Sequence, residues 1–239
     1  MTERLQKIIA RAGLCSRRAA EELLRDGRVS VNGQTAQLGD SADLEQDTIA
    51  VDGKALSAAP PAEVYVMLNK PRGYVTTMSD ELGRKTAAEL VSGCGARVLP
   101  VGRLDKESEG LLLFTNDGAL IQQLIHPKGE VDKVYRVTVQ GALDGAAQRL
   151  AALRDVEGEP IRPAQVTELR RGEKDALLQV VIHEGKNRQI RRMCRQCGLE
   201  VLRLQRIAEH TLTLGDLKAG QWRYLTAQEV RSLKEGEGK

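Results

Sequence analysis

The stretch GRLDKESEGLLLFTNDG, residues 102–118, places a charged loop directly before a short apolar run. Residues 111–114 are typical of a buried strand, and Asn116-Asp117-Gly118 predicts the turn that ends it. Asp105 therefore stands just ahead of a strand that enters the core. A carboxylate at the floor of a cleft has to be paired with a cation and hydrogen-bonded, or it takes up a proton. We take Asp105 as the leading functional candidate, against the alternative of an ordinary solvated loop.

Length and composition bound the kind of protein. The chain has 239 residues, of which 41% are hydrophobic and 29% charged, as in a soluble protein of one large or two smaller domains. No apolar stretch is long enough to span a bilayer, and the N-terminus lacks the apolar core of a secretory signal. We therefore expect a cytoplasmic protein, with no membrane association and with reduced cysteines.

Residues 1–57 are predicted to form a separate small unit of two helices and short strands. Apolar residues recur at helical spacing in TERLQKIIARAG, residues 2–13. Ser16 can cap a second helix, RRAAEELLRDG, residues 17–27. Asn32-Gly33 then predicts a hairpin between alternating strands.

Basic side chains lie away from the apolar faces of these two helices, and the candidates for nucleic-acid contact among them are Arg4, Lys7, Arg11, Arg17 and Arg18. A solvated helix surface is the alternative, because several nearby glutamates and aspartates neutralise part of this charge. The net charge of +3 gives only weak support to a polyanionic partner. Charge alone leaves the two interpretations open.

The rest of the chain is predicted to form an α+β domain on a mixed, mostly antiparallel sheet. A proline-bearing linker is expected at 58–63, the domain at 64–230 and a disordered polar tail at 231–239. Strands and helices are interspersed without the regular alternation of a doubly wound fold. Neither GxGxxG nor the phosphate-loop pattern occurs, so we expect no nucleotide cofactor.

A second basic cluster occurs in HEGKNRQIRRM, residues 183–193. Gly185 breaks the preceding strand, and the basic residues Lys186, Arg188, Arg191 and Arg192 are expected to begin the next helix. One interpretation is a patch that faces phosphates. The other is that one of these arginines turns inward and keeps Asp105 ionised.

Tyr135, in DKVYRVTVQG, is the third candidate. Strand alternation makes it a sheet residue, and packing in the core is the usual fate of such a tyrosine. Beside a carboxylate, its flat ring could instead support a base taken out of its stack.

The cysteines and histidines do not form a recognisable metal site. Cys194 and Cys197 make a single CxxC within a predicted helix, and no second pair completes a zinc site. Residues His126, His183 and His210 are scattered along the chain. We expect structural thiols and no metal.

Four segments carry a resemblance to known families. RLQKIIARAGLCSRRAAEELLRDGRVSVNGQ resembles the S4 RNA-binding domain. NKPRGYVTT, VGRLDKESEGLLLFTNDG and EGKNRQIRRM together resemble the RsuA/RluB family of ribosomal-RNA pseudouridine synthases, which has an N-terminal S4 domain. The similarity runs from about residue 2 to about residue 227. It implies a small S4-like domain of two helices and a small sheet, followed by a synthase catalytic domain.

The resemblance also implies roles for single residues. Asp105 takes the place of the family's essential aspartate, Tyr135 of its active-site tyrosine, and Arg191 of the basic residue that pairs with the aspartate. Lys70 and Arg103 lie in the flanking motifs and are expected to contact RNA or brace the site. The full set of expected RNA contacts is Arg4, Lys7, Arg11, Arg17, Arg18, Lys70, Arg103, Lys186, Arg188 and Arg192.

The reaction that the resemblance implies is isomerisation of uridine, in which the C1′–N1 bond breaks and a C1′–C5 bond forms. Asp105 would act as a nucleophile or remove a ribose proton, and the sequence leaves both routes open. The expected partner is ribosomal RNA or an assembling ribosomal particle, bound by a monomer in a salt-sensitive manner.

We favour the large ribosomal subunit, with the small subunit as the alternative. Two other classes remain as hypotheses. A non-catalytic RNA-binding or ribosome-assembly protein would use the same basic surfaces, and a metal-dependent RNA enzyme would contain zinc.

Overall fold

The chain folds into two compact units that divide between residues 63 and 64. The computed structural model describes residues 2–57, 61–125 and 131–235. Part of the expected linker (58–60), His126 and the end of the expected tail (236–239) lie outside the described residues. Within the described ranges, no helix is both long and apolar enough to cross a membrane.

The N-terminal unit contains two helices and two small sheets. The helices are α1 (Leu5–Arg11) and α2 (Arg17–Arg25), and Ser16 caps α2 by accepting a hydrogen bond from the Ala19 amide. Leu5, Ile8 and Ile9 of α1 are buried in a core to which α2 also contributes. The strands are β1 (Glu3–Arg4), β2 (Val29–Val31), β3 (Gln34–Thr35), β4 (Ser41–Ala42), β5 (Ile49–Val51) and β6 (Lys54–Ala55).

These short strands pair as β1–β4 and as a four-stranded sheet in the order β3–β2–β5–β6. The Asn32-Gly33 turn joins β2 and β3, and both of its residues have positive φ, which an Asn-Gly hairpin turn requires. Two helices and a small sheet were expected here.

The second unit is built on one nine-stranded sheet. Its strands are β7 (Tyr65–Lys70), β8 (Leu99–Val101), β9 (Glu109–Thr115), β10 (Lys133–Gly141), β13 (Gln165–Arg171), β14 (Asp175–Ile182), β15 (Leu199–Glu209), β16 (Leu212–Thr213) and β17 (Trp222–Tyr224). The order is β13–β14–β10–β15–β9–β7–β17, with β8 on β9 and β16 on β15. All of these pairs are antiparallel except β9–β15. The mixed, mostly antiparallel α+β fold is therefore confirmed.

Helices cover both faces of the central strands, and a small hairpin lies beside the sheet. The helices are α3 (Ala87–Leu90), α4 (Gly118–Ile125), α5 (Ala146–Ala152), α6 (Gln189–Gln196) and α7 (Ala227–Glu235), and the hairpin is β11 (Asp155–Val156) with β12 (Glu159–Pro160). One core includes Leu112 of β9 and residues of α3, α5 and α6, and the other includes Leu111 with residues of α4 and α7. The apolar run of β9 is continuous because the strand is buried on both faces.

The expected disordered tail is corrected for residues 231–235, which form the end of α7. Leu233 is fully buried in the core beside β9. Thr226 and Glu229 form a reciprocal cap at the start of this helix. The cap and the one apolar anchor order a segment whose composition is polar.

Candidate active site

The loop that carries Asp105 joins β8 to β9, and the NKPRGYVTT segment (residues 69–77) holds it through hydrogen bonds. The amide of Gly73 donates to the carbonyl of Lys106 (2.7 Å), and the hydroxyl of Thr76 donates to the carbonyl of Leu104 (2.7 Å). Within the loop, the Ser108 amide donates to the Asp105 carbonyl at 3.0 Å. The backbone around Asp105 is thus fixed on both sides.

Lys70 contributes the strongest of these braces. Its ammonium is fully buried and donates to the carbonyls of Pro71 (3.2 Å), Asp105 (3.0 Å) and Ser108 (2.7 Å). Burial lowers the pKa of Lys70 to about 8, although the nearby Asp105 and other carboxylates oppose the shift. The expectation that Lys70 contacts RNA is wrong, because no part of the side chain reaches the surface; the bracing role remains.

Asp105 and Tyr135 face the same cleft. The cleft has a volume of about 110 Å³, and Asp105, Tyr135, Arg103, Ser108 and Arg188 are among its lining residues. The side chain of Asp105 is 31% exposed, whereas Tyr135 is 7% exposed. Three buried apolar residues, Ile182, Ile190 and Leu204, also line the cleft. A half-buried carboxylate and a buried aromatic ring thus face one small hollow that has both polar and apolar walls.

The arginine nearest to Asp105 is Arg188, with Nη1 3.8 Å from Oδ2 of Asp105 and 3.5 Å from Oε2 of Glu107. Arg188 precedes α6 and does not belong to it, since its φ of 50° places it in the left-handed region. This conformation is costly for a residue with a side chain and is kept only where the surroundings enforce it. It turns the Arg188 guanidinium toward the cleft.

Arg191 lies behind the loop rather than on the carboxylate. Its Nη2 donates to the carbonyl of Glu107 at 3.1 Å, and burial together with the charge of Arg188 lowers its pKa. The carboxylate of Asp105 acts on Arg191 through its charge. The predicted pairing of Arg191 with Asp105 is thus replaced by a contact with Arg188, because the Arg191 guanidinium is turned to the Glu107 carbonyl.

Two other residues of the basic cluster bind the β11–β12 hairpin. Arg192 pairs with Glu157 (3.0 Å) and Glu159 (2.9 Å) and donates to the carbonyl of Val156. Lys186 lies 3.1 Å from Glu159. Both cations are satisfied within the protein, so a contact with RNA would require them to exchange partners.

The basic residues of the N-terminal unit differ in their availability. Lys7 and Arg11 both pair with Glu3, at 2.5 and 2.6 Å. Arg17 and Arg18 are exposed at the first turn of α2, and Arg4 is exposed beside α1. Glu3 therefore offsets part of the positive charge on α1, whereas Arg17 and Arg18 of α2 remain exposed.

The thiols and carboxylates offer little to a metal ion. In the part of the chain that the structure describes, no three His, Cys, Asp or Glu side chains are grouped to hold one. Burial raises the pKa of the Cys194 thiol to about 12, so it stays protonated at neutral pH.

Sequence reasoning missed one buried ion pair, Arg206–Glu209, which lies behind Tyr135. Arg206 is 2% exposed and Glu209 4% exposed. The two residues lie three positions apart on a strand that also carries exposed charges, so their spacing carries no signal. They are buried because β15 lies inside the sheet, between β10 and β9.

Comparisons with known proteins agree with this geometry. The sequence model for RNA pseudouridylate synthase matches residues 64–196, and the model for the S4 domain matches residues 3–49. Ribosomal large subunit pseudouridine synthase B of Bacillus subtilis (strain 168) is 40% identical over 237 residues, which cover 97% of this chain and 96% of that protein. The protein of the same name in Vibrio cholerae is 36% identical over 98% of this chain and 75% of that protein.

A crystal structure of a pseudouridylate synthase is 28% identical to the chain, covers 96% of it and 99% of the solved chain, and superposes with a TM-score of 0.67. Two of the three sequence motifs line one cleft, the first motif braces the Asp105 loop, and the family models match both units. The resemblance to the RsuA/RluB type is thereby confirmed. The chain belongs to the RNA pseudouridylate synthases and carries an S4 domain at its N-terminus.

Proposed function

We propose that the protein isomerises a specific uridine of large-subunit ribosomal RNA, with Asp105 and Tyr135 as its catalytic residues. The observation that carries the site is the common cleft, since Asp105 of the β8–β9 loop and Tyr135 of β10 line one hollow although they are distant in sequence. The large-subunit target is supported by the relatives in B. subtilis and V. cholerae, whose names specify that subunit.

The shape of the cleft suits a base that has left its stack. Unstacking costs a few kcal/mol, and contact with Tyr135 and the apolar residues of the cleft would offset part of that cost. Tyr135 would lie against the uracil, and Asp105 at the mouth would face the ribose. Both routes for Asp105, attack as a nucleophile or removal of a ribose proton, are compatible with this placement.

The arginines would serve the same reaction in different ways. Arg188, within 4 Å of the carboxylate, places a positive charge beside it and is also exposed enough to meet a phosphate. Arg103 is exposed at the cleft. Arg191 would keep the loop in place through the Glu107 carbonyl. No redox step or group donor is required, because the proton that leaves C5 of the base is balanced by the one that N1 gains.

RNA would be held by the cleft and by the S4 domain, with Arg4, Arg17 and Arg18 as the exposed cations of the latter. We further propose that the enzyme acts as a cytoplasmic monomer on ribosomal RNA, free or in an assembling particle. Both candidate catalytic residues lie in one chain, so the site needs no second copy.

The test is a map of pseudouridines in ribosomal RNA from cells with and without the gene, with complementation by the wild-type gene. Loss of one site in large-subunit RNA, restored on complementation, is the expected result. Loss of a site in small-subunit RNA would overturn the choice of subunit. An unchanged map would favour the non-catalytic RNA-binding protein.

A further inference from the structure

A buried guanidinium lies directly behind the proposed active site. Arg206, toward the end of β15, is among the largest fully buried side chains of the described residues. Its Nε donates to the carbonyl of Leu111 at 2.7 Å, and its Nη2 lies 3.1 Å from Oε2 of Glu209. A buried ion pair is costly to desolvate and is rarely the most stable filling for a core. Its presence beside a catalytic cleft therefore calls for a functional explanation.

Strand register places Arg206 against Tyr135. In the antiparallel pair β10–β15, Tyr135 is the partner of Arg206, so the two side chains leave the sheet on the same face. Although Nη2 of Arg206 lies near Glu209, it forms no hydrogen bond of good geometry within the described residues, so this guanidinium keeps a donor available for the Tyr135 hydroxyl. Burial raises the pKa of Tyr135, and the Arg206 charge counteracts that rise. The hydroxyl therefore stays neutral near pH 7.

The same arginine is tied to the end of the Asp105 loop. Gly110, at the start of β9, is aligned with Arg206 in the parallel pair β9–β15. Its φ is 106°, and a Cβ at this position would lie 2.1 Å from the carbonyl oxygen of Arg206. The two backbones therefore approach more closely than any side chain would permit. Arg206 thus binds the strand that follows the Asp105 loop and is the strand neighbour of the tyrosine that faces that loop.

We propose that Arg206, held by Glu209, is a positioning residue for Tyr135: its guanidinium fixes the hydroxyl and so sets the ring at the wall of the Asp105 cleft. This inference rests on the proposed catalytic site. Glu209 keeps the guanidinium in place and balances its charge, and Lys133, the strand partner of Glu209, lies next to the same group. A purely structural pair would hold β9, β10 and β15 together without affecting the tyrosine.

The central variant replaces both charges by neutral side chains, Arg206→Met with Glu209→Gln, and the methionine approaches the volume of the arginine. Because both members of the pair are neutralised together, neither is left charged and alone in the core, which is the costly case. The chain has four tyrosines, so labelling with [¹³Cζ]tyrosine gives four resonances, and the Tyr135→Phe variant identifies that of Tyr135. The ¹³Cζ shift at neutral pH reports the hydrogen bond of each hydroxyl.

The expected result has two parts. The Tyr135 resonance moves while those of Tyr65, Tyr74 and Tyr224 stay in place, and the single-turnover rate at saturating RNA falls at least about tenfold, with RNA affinity within about twofold of wild type. The matched control is Val139→Ala, a buried cavity variant on the same strand as Tyr135. It should lower stability and leave both the Tyr135 resonance and the rate unchanged.

An unmoved Tyr135 resonance, or a rate within about twofold of wild type in the folded double variant, would overturn the proposal. Should the double variant fail to fold, Arg206→Lys is measured in the same way, because it keeps the charge next to Glu209 and removes the planar fork. The resonance of Tyr135 is again expected to move. Retained activity in Asp105→Asn would instead refute the proposed catalytic site. The effect of Arg206 on the Tyr135 resonance would then be judged separately, from the NMR result.

Discussion

The ammonium of Lys70 lies 3.0 Å from the main-chain carbonyl of Asp105 and donates a hydrogen bond to it. A lysine from the first motif thus binds the backbone of the catalytic motif at its most important residue. The contact lies in the interior, so Lys70 acts on the reaction only through the position of the loop.

Replacing Lys70 by Met should therefore slow the reaction without weakening RNA binding. Without the ammonium, the carbonyls of Asp105 and Ser108 lose a buried donor, and a small displacement of Asp105 can cost about a hundredfold in rate. Single-turnover rates and RNA affinity measure the two effects separately. Lys106→Met, in the same loop but exposed, is the control of equal charge change. Weaker RNA binding with an unchanged rate would show that Lys70 contacts RNA after all.

The rate should also decline above about pH 8, because burial lowers the pKa of Lys70 to about 8 and the neutral amine has one donor fewer. Between pH 8 and the ordinary value of 10.5, the unfolded chain binds more protons at this lysine than the folded protein does. The contribution of Lys70 to the free energy of unfolding consequently rises with pH in this window. We therefore expect the catalytic rate to fall above about pH 8 without any loss of stability that arises from Lys70. If the rate of Lys70→Met fell over the same pH range, the fall could not be assigned to deprotonation of Lys70.

Substitutions of Arg188 and Arg191 should differ in their effects on reaction rate and on stability. Arg188→Gln removes the cation within 4 Å of Asp105, and we expect the single-turnover rate to fall about ten- to a hundredfold. Arg191→Gln removes a brace on the loop and should also reduce thermal stability, since Arg191 is the more buried of the two. Arg195→Gln, on the exposed side of α6, serves as the control. Equal effects of all three substitutions would point to a diffuse basic patch.

The end of the chain provides a test of the fold. Leu233 is fully buried at the end of α7, so Leu233→Ala should lower the free energy of unfolding by about 2 to 4 kcal/mol. Chemical denaturation measures the change. Leu169→Ala, at a leucine that is 46% exposed, should have little effect. Equal stability of the two variants would show that residues 231–235 belong to a disordered tail, as their composition suggests.

Much of the fold could be predicted from local patterns. The alternation in KVYRVTVQG and the apolar run after Asp105 correspond to β10 and β9, and Ser16 begins a helix as its position indicates. The helix α7 was missed because it has one buried apolar anchor, although TAQE, at residues 226–229, is a readable capping signal.

The site was harder to predict, since burial of charge depends on tertiary structure. Lys70 and Arg206 look like other basic residues of β-strands until the sheet order places them inside. Arg188 and Arg191 were both expected at the start of one helix, but the left-handed backbone at Arg188 leaves this residue outside α6. Asp105 was identifiable because it precedes a strand that is apolar on both faces.

The most direct measurement is pseudouridine formation by Asp105→Asn on unmodified large-subunit ribosomal RNA, with RNA affinity measured on the same preparation. The substitution keeps the volume and removes the charge. The expected result is a rate lowered by at least about a thousandfold, with affinity within about twofold of wild type. Pseudouridine formed at the wild-type rate by the asparagine variant would contradict the assignment of the active site.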